Sequence, residues 1–182
     1  DLLLDAMTRV WQELPAAELH VFGDGDAAEK TRANALYLDP SGARVTFHAA
    51  NESAFREPGS FDIFVRASRH GEPPMATLEA MLAGLPLVGT DVSDIADLIT
   101  CSRSGLIVPC NAPRKLAAAM TVLLSTSAEA RAELGAAGAA HVRSACGIER
   151  HVSDLHARYS HRDRFVPAVV APLRGIAADR AV

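Results

Sequence analysis

The chain has 182 residues, 49% hydrophobic and 22% charged, a composition that suits a soluble globular protein with one sizeable core. A formal net charge of −4 removes any bulk electrostatic case for nucleic acid or an anionic membrane, and the apolar runs are far shorter than a membrane span. Cys101, Cys110 and Cys146 lack a close metal-ligand spacing and read as thiols in a reducing cytoplasm.

Taken in chain order, helices and strands alternate. Leu2 to Leu14 has amphipathic helical spacing, Glu18 to Phe22 reads as a strand, and Ala27 to Leu38 as a helix. Arg44 to His48 is the next strand, followed by a short helix over Glu52 to Glu57 that Pro58-Gly59 closes. Asp62 to Val65 is a short apolar strand. Pro73 and Pro74 then start a helix, because proline's fixed φ suits a first turn and its missing N–H is not needed there. Met75, Leu78, Ala80, Met81 and Leu82 give that helix a broad apolar face, and Gly84 is placed to end it. Leu85 to Gly89 and Leu106 to Val108 are strands. Arg114 to Leu124, Glu129 to Arg143 (led by Ser127) and Ile148 to Tyr159 are helices.

This alternation implies an α/β protein: a Rossmann-like, doubly wound parallel sheet with helices on both faces. Residues 1–161 form the expected domain of this fold and 162–182 a C-terminal extension or tail. Phe165, Val166, Val169, Val170 and Leu173 are too apolar for a solvated tail, so an extended segment packed on the domain is expected.

The segment from Ser68 to Asp91 carries the functional signal. A helix that starts at the C-terminal edge of a parallel sheet points its positive end into the crevice where such sheets bind ligands. The first free amides there are those of Met75, Ala76 and Thr77, and they suit phosphate oxygens. Glu72 just before the helix and Glu79 inside it suit sugar hydroxyls instead. Gly23-Asp-Gly25 reads equally as a tight strand-to-helix turn or as a place where backbone approaches a ligand. His70 lies beside the motif, as a sugar contact or as an exposed turn residue. His20 and His48 fall in strands and read as edge or core residues; His141, His151, His156 and His161 show no ligand pattern.

Leu78-Glu-Ala-Met-Leu-Ala-Gly-Leu-Pro-Leu-Val88 resembles the donor-binding motif of retaining glycosyltransferases of the GT-B fold, family 4 in particular. Ala17 to Gly25, Val45 to His48, Ser104-Gly-Leu-Ile-Val-Pro109 and Cys146 to Val152 resemble further motifs of that family, in order, over about residues 1 to 160 of its C-terminal half. The resemblance implies donor contacts at Gly23, Gly25, His70, Gly71, Met75, Ala76, Thr77 and Glu79, with Glu72 in the catalytic position. It implies a UDP- or GDP-linked sugar as donor, with no metal and no further cofactor. It also implies an N-terminal GT-B domain as partner, through which peripheral membrane association would arise, and a cytoplasmic location.

Departures from the pattern keep a second function class open. Glu72 and Glu79 stand seven apart where the family has eight, so Gly71-Glu72 looks like a swapped pair or a one-residue slip in the turn. Ser93-Asp-Ile-Ala-Asp97 takes the place of a glycine-containing loop, with Asp94 where backbone would approach the ligand. In the family, a strand and a basic loop precede the first helix, and this chain opens inside that helix. Half a cleft is therefore expected: a donor-binding domain that transfers sugar only with its other half, its central strand missing. The alternative is a degenerate, non-catalytic GT-B module acting in assembly or weak nucleotide binding.

Overall fold

The computed structural model describes residues 2–23, 28–49, 59–70 and 75–160. The chain divides into two compact units, Asp1–Cys146 and Gly147–Val182. That division comes ahead of the boundary at 161 expected from sequence. The expected helix over Glu52 to Glu57 and the extension 162–182 lie outside the described residues.

In the first unit, helix α1 (Leu2–Glu13) leads to strand β1 (Leu19–Phe22), helix α2 (Ala28–Leu38) and strand β2 (Val45–His48). Strand β3 (Phe64–Arg66) is followed by helix α3 (Met75–Leu82), strand β4 (Leu87–Thr90), helix α4 (Ser93–Ser102) and strand β5 (Gly105–Val108). Helices α5 (Pro113–Ser125) and α6 (Ala128–Ala145) complete it. The second unit contributes helix α7 (Ile148–Ser160).

The strands form two sheets. β1 pairs parallel with β2, Leu19 opposite Val45 and Phe22 opposite His48. The other sheet has the order β3-β4-β5, all parallel, with Phe64 opposite Leu87 and Leu87 opposite Gly105.

Helices cover both faces. α1, α2 and α5 pack on one side, where Met7, Val10, Trp11, Leu116 and Met120 meet Leu19, Val88 and Val108. α3, α4 and α6 pack on the other, where Ala80, Met81, Ile95, Ile99 and Val142 meet Leu87. β4 shows how the sequence produces this. Its side chains alternate between faces, both faces are covered, and so Leu87, Val88 and Thr90 are all buried. This is the α/β architecture, parallel sheets with helices on both faces, that the alternating elements imply.

Local chemistry fixes the turns. α3 ends where Gly84 takes φ +78°; the Gly84 amide donates to the Met81 carbonyl at 3.0 Å and the Leu85 amide to the Ala80 carbonyl at 3.0 Å. That pair of bonds satisfies the carbonyls a helix end leaves open. Between α2 and β2, the buried Asp39 carboxylate accepts from the Ser41 hydroxyl at 2.6 Å and the Arg44 amide at 2.7 Å. Those two bonds, the Ser41 hydroxyl first, hold its pKa below the usual carboxylate value. The Arg44 guanidinium lies 4.3 Å over the Trp11 ring, and the Trp11 indole N–H donates to the Ala17 carbonyl at 2.9 Å, so this turn also anchors α1.

One element departs from the sequence reading. Ser93 to Asp97 is the first half of α4, not a loop. Val92, Ile95 and Ile99 supply a buried helical stripe, but the cap residue is Val92, which makes no side-chain capping bond. The usual polar start signal is missing.

Candidate functional site

An opening of about 860 Å³ lies between β1 and β3. Its rim at the C-terminal ends of these strands gathers Gly23, Arg66, Ala67 and Ser68 with Ala76 and Glu79 of α3. Each arrives there for a local reason. β1 runs out at Phe22, and the Gly23 amide still donates to the His48 carbonyl of β2 at 3.3 Å, with φ +134° turning the chain away. The buried Thr90 hydroxyl at the end of β4 donates to the Ser68 carbonyl at 2.6 Å. The Arg66 guanidinium donates through Nε to the Ser68 hydroxyl at 3.2 Å. These bonds hold the segment after β3 against its neighbour strand.

The phase of α3 sorts its residues. Ala76 and Glu79, three apart, line the opening, and Glu79 is exposed. Thr77, Ala80 and Met81 lie on the buried face. The Thr77 side chain is therefore turned away from Glu79, and only its backbone amide belongs to the free first turn. Its hydroxyl is buried without a hydrogen-bond partner among the described residues. Met75 is 60% exposed and His70 is exposed; neither lines the opening. Gly25, Gly71, Glu72, Pro73 and Pro74 lie outside the described residues, and so does the geometry of the Gly71-Glu72 pair.

Chemically, the rim combines first-turn amides that suit an anion with a carboxylate and a hydroxyl that suit polar hydroxyl groups. A sugar joined to a phosphate has both. Among the described residues, no group of three or more His, Cys, Asp or Glu is placed to hold a metal ion.

Sequence reasoning missed one neighbour of this rim. His20, Phe22 and His48 share one face of the β1–β2 ribbon, with Phe61 against them. The His20 and His48 rings are hydrogen-bonded at 2.9 Å, the Phe22 and His48 rings stack at 4.3 Å, and Phe61 meets His20 edge-on at 5.2 Å. The signal was the strand alternation: Leu19 and Val21 face α1 and α5, so His20 and Phe22 must face the other way.

The family model of the glycosyl transferases group 1 matches residues 1–126. The chain belongs to that family. It is 30% identical over 132 residues to the exopolysaccharide phosphotransferase SCO2592 of Streptomyces coelicolor, covering 70% of this chain and 14% of that protein. Three solved structures share its fold at about one-fifth identity. The first is WaaG, a glycosyltransferase involved in lipopolysaccharide biosynthesis, with TM-score 0.67, 20% identity, 78% of this chain and 38% of that one. A mutant of S. aureus TarM, solved with fondaparinux, α-GlcNAc-glycerol and UDP, gives TM-score 0.73 at 20% identity, over 86% of this chain and 32% of that one. Sucrose-phosphate synthase from Thermosynechococcus elongatus gives TM-score 0.68 at 19% identity, over 88% and 42%. The fold of the group 1 domain is thus that of the C-terminal domain of GT-B glycosyltransferases. The chain spans less than half the length of each of these relatives.

Proposed function

We propose that this group 1 domain is the donor-binding half of a retaining, family 4 glycosyltransferase. It takes a sugar from a UDP- or GDP-linked donor and works with an N-terminal domain that brings the acceptor. Transfer needs both substrates held in one cleft, so the donor half alone does not turn over. The observation that carries this reading is the convergence of Ala76 and Glu79 of α3 with Gly23 and Ser68 on one rim.

The roles follow from the chemistry. Amides of Met75, Ala76 and Thr77 face the diphosphate, where developing negative charge on the leaving group is stabilised. Arg66 adds positive charge on the same wall. The Glu79 carboxylate accepts from the ribose diol, and Gly23 and Gly25 let the backbone approach the nucleotide. Glu72 serves at the sugar in the catalytic position, with His70 and Gly71 beside it. No metal takes part. The setting is cytoplasmic, as the family resemblance implies.

Glu79→Ala is expected to weaken binding of the donor, measured by calorimetry, by about 1–3 kcal/mol, the usual cost of a hydrogen bond to a charged group. Unchanged affinity would make Glu79 a bystander.

A second reading is a non-catalytic GT-B module within a larger enzyme. The name of the Streptomyces coelicolor relative, a phosphotransferase of which the match spans 14%, favours it. The module would bind nucleotide weakly or serve in assembly. Donor binding by the parent protein with no sugar transfer to any acceptor would select it.

A further inference from the structure

β3 is the shortest strand of its sheet. Its ladder with β4 ends at Arg66, opposite Gly89, yet the rim of the opening continues through Ala67 and Ser68. β4 runs one residue further. Thr90 is in register with Val108 of β5, and the next amide, that of Asp91, donates to the Val108 carbonyl at 2.8 Å. Thr90 is also fully buried and β-branched, so its backbone and its side chain are both held. It is a fixed post beside a segment that has left the ladder.

That post has one hydroxyl proton to give. The Ser68 carbonyl lies 2.6 Å from the Thr90 Oγ1 and the Arg66 carbonyl 3.4 Å, so the proton goes to Ser68. The Cys110 thiol, 3.9 Å from the same carbonyl, is a weak hydrogen-bond donor and does not replace the hydroxyl. Ser68 passes the constraint on, because its own hydroxyl accepts from the Arg66 Nε at 3.2 Å. The two ends of one residue thus join Thr90, which lines no part of the opening, to Arg66, which does.

We infer that Thr90 is a positioning residue for sugar-nucleotide binding: from behind the rim it sets the place of Ser68 and, through Ser68, the direction of the Arg66 guanidinium. This rests on the donor-binding reading of the rim. Ala76 and Glu79 are placed by other means, the packing of Ala80 and Met81 in the core. Loss of the Thr90 hydroxyl therefore leaves α3 in place and loosens only the wall that follows β3.

Three substitutions separate the hydroxyl from the packing. Thr90→Val keeps the branched shape without the hydroxyl. Thr90→Ser keeps the hydroxyl and loses a buried methyl, and Thr90→Ala lacks both. Stability, read as a urea midpoint, should follow the methyl; sugar-nucleotide affinity should follow the hydroxyl. In shift titrations of the 182-residue chain with UDP- and GDP-linked sugars, read at the Gly23, Ala76 and Glu79 amides, Thr90→Val and Thr90→Ala should each raise Kd about tenfold, the scale of one lost hydrogen bond, and Thr90→Ser by less than about twofold. Without ligand, the Ser68 carbonyl carbon resonance should move upfield in the two variants that lack the hydroxyl and hold its position in Thr90→Ser. Wild-type affinity in Thr90→Val, or a Thr90→Ser variant as weak as Thr90→Ala, would overturn the inference. An unmoved Ser68 resonance in Thr90→Val would overturn it whatever the ligand does. A wild-type chain that binds neither sugar nucleotide would instead overturn the donor-binding reading, and Thr90's part in binding with it, while the ligand-free resonance still reports on the clamp.

Discussion

Gly135→Ala is expected to destabilise the first unit by about 3 kcal/mol, although helix propensity alone favours the change by roughly 1 kcal/mol. Gly135 lies in the middle of α6, where alanine is the better helix former. A Cβ built there would stand 1.7 Å from the Gly84 carbonyl oxygen and 2.4 Å from its carbon. That oxygen cannot retreat, because Gly84 is held at φ +78° by the two bonds that close α3. α6 would have to lift from α3, and with it the contact between Gly138 and Ser104. The two effects have opposite signs, so the sign of the shift in a urea midpoint decides between them. A stabilised variant would mean that α6 does not rest on the α3 turn.

Leu116→Ala should cost about 2–5 kcal/mol, the range for a large-to-small change in a closed core. Leu116 has 0% exposure on α5 and packs in the cluster with Met7 and Val10 of α1. The cavity would open between the two helices that wall one side of the β1–β3 opening. Val122 lies on the same helix at 57% exposure. Val122→Ala should change stability by less than about 0.5 kcal/mol. Equal urea midpoints for the two variants would contradict the packing of α5 on α1.

Much of the fold is legible where residues punctuate the chain. Gly84 marks the end of α3, and Pro113 opens α5 at its first position. Strand existence was also legible, with bounds off by one or two residues: β3 covers Phe64–Arg66 where Asp62 to Val65 was expected. α4 was not read, because Val92 offers no capping oxygen and Ser93 to Asp97 imitates a loop motif. The division of the strands into two sheets has no local signal. It depends on which edges find partners, and that is settled by the whole chain.

The candidate site was legible in part. Helical phase predicts that Ala76 and Glu79 share a face that Thr77 does not, yet the motif alone treats the first turn as one group. Nothing in the motif points to Thr90, whose hydroxyl fixes Ser68, or to the pairing of His20 with His48. Those depend on strand register, which brings His48 beside Phe22.

Amide chemical shifts recorded while the 182-residue chain is titrated with UDP- and GDP-linked sugars test the central claim most directly. The donor-binding reading predicts that, at millimolar ligand, shifts move at Gly23, Ser68, Ala76, Thr77 and Glu79 as one set. No movement in that set, with either nucleotide sugar at millimolar concentration, would contradict it.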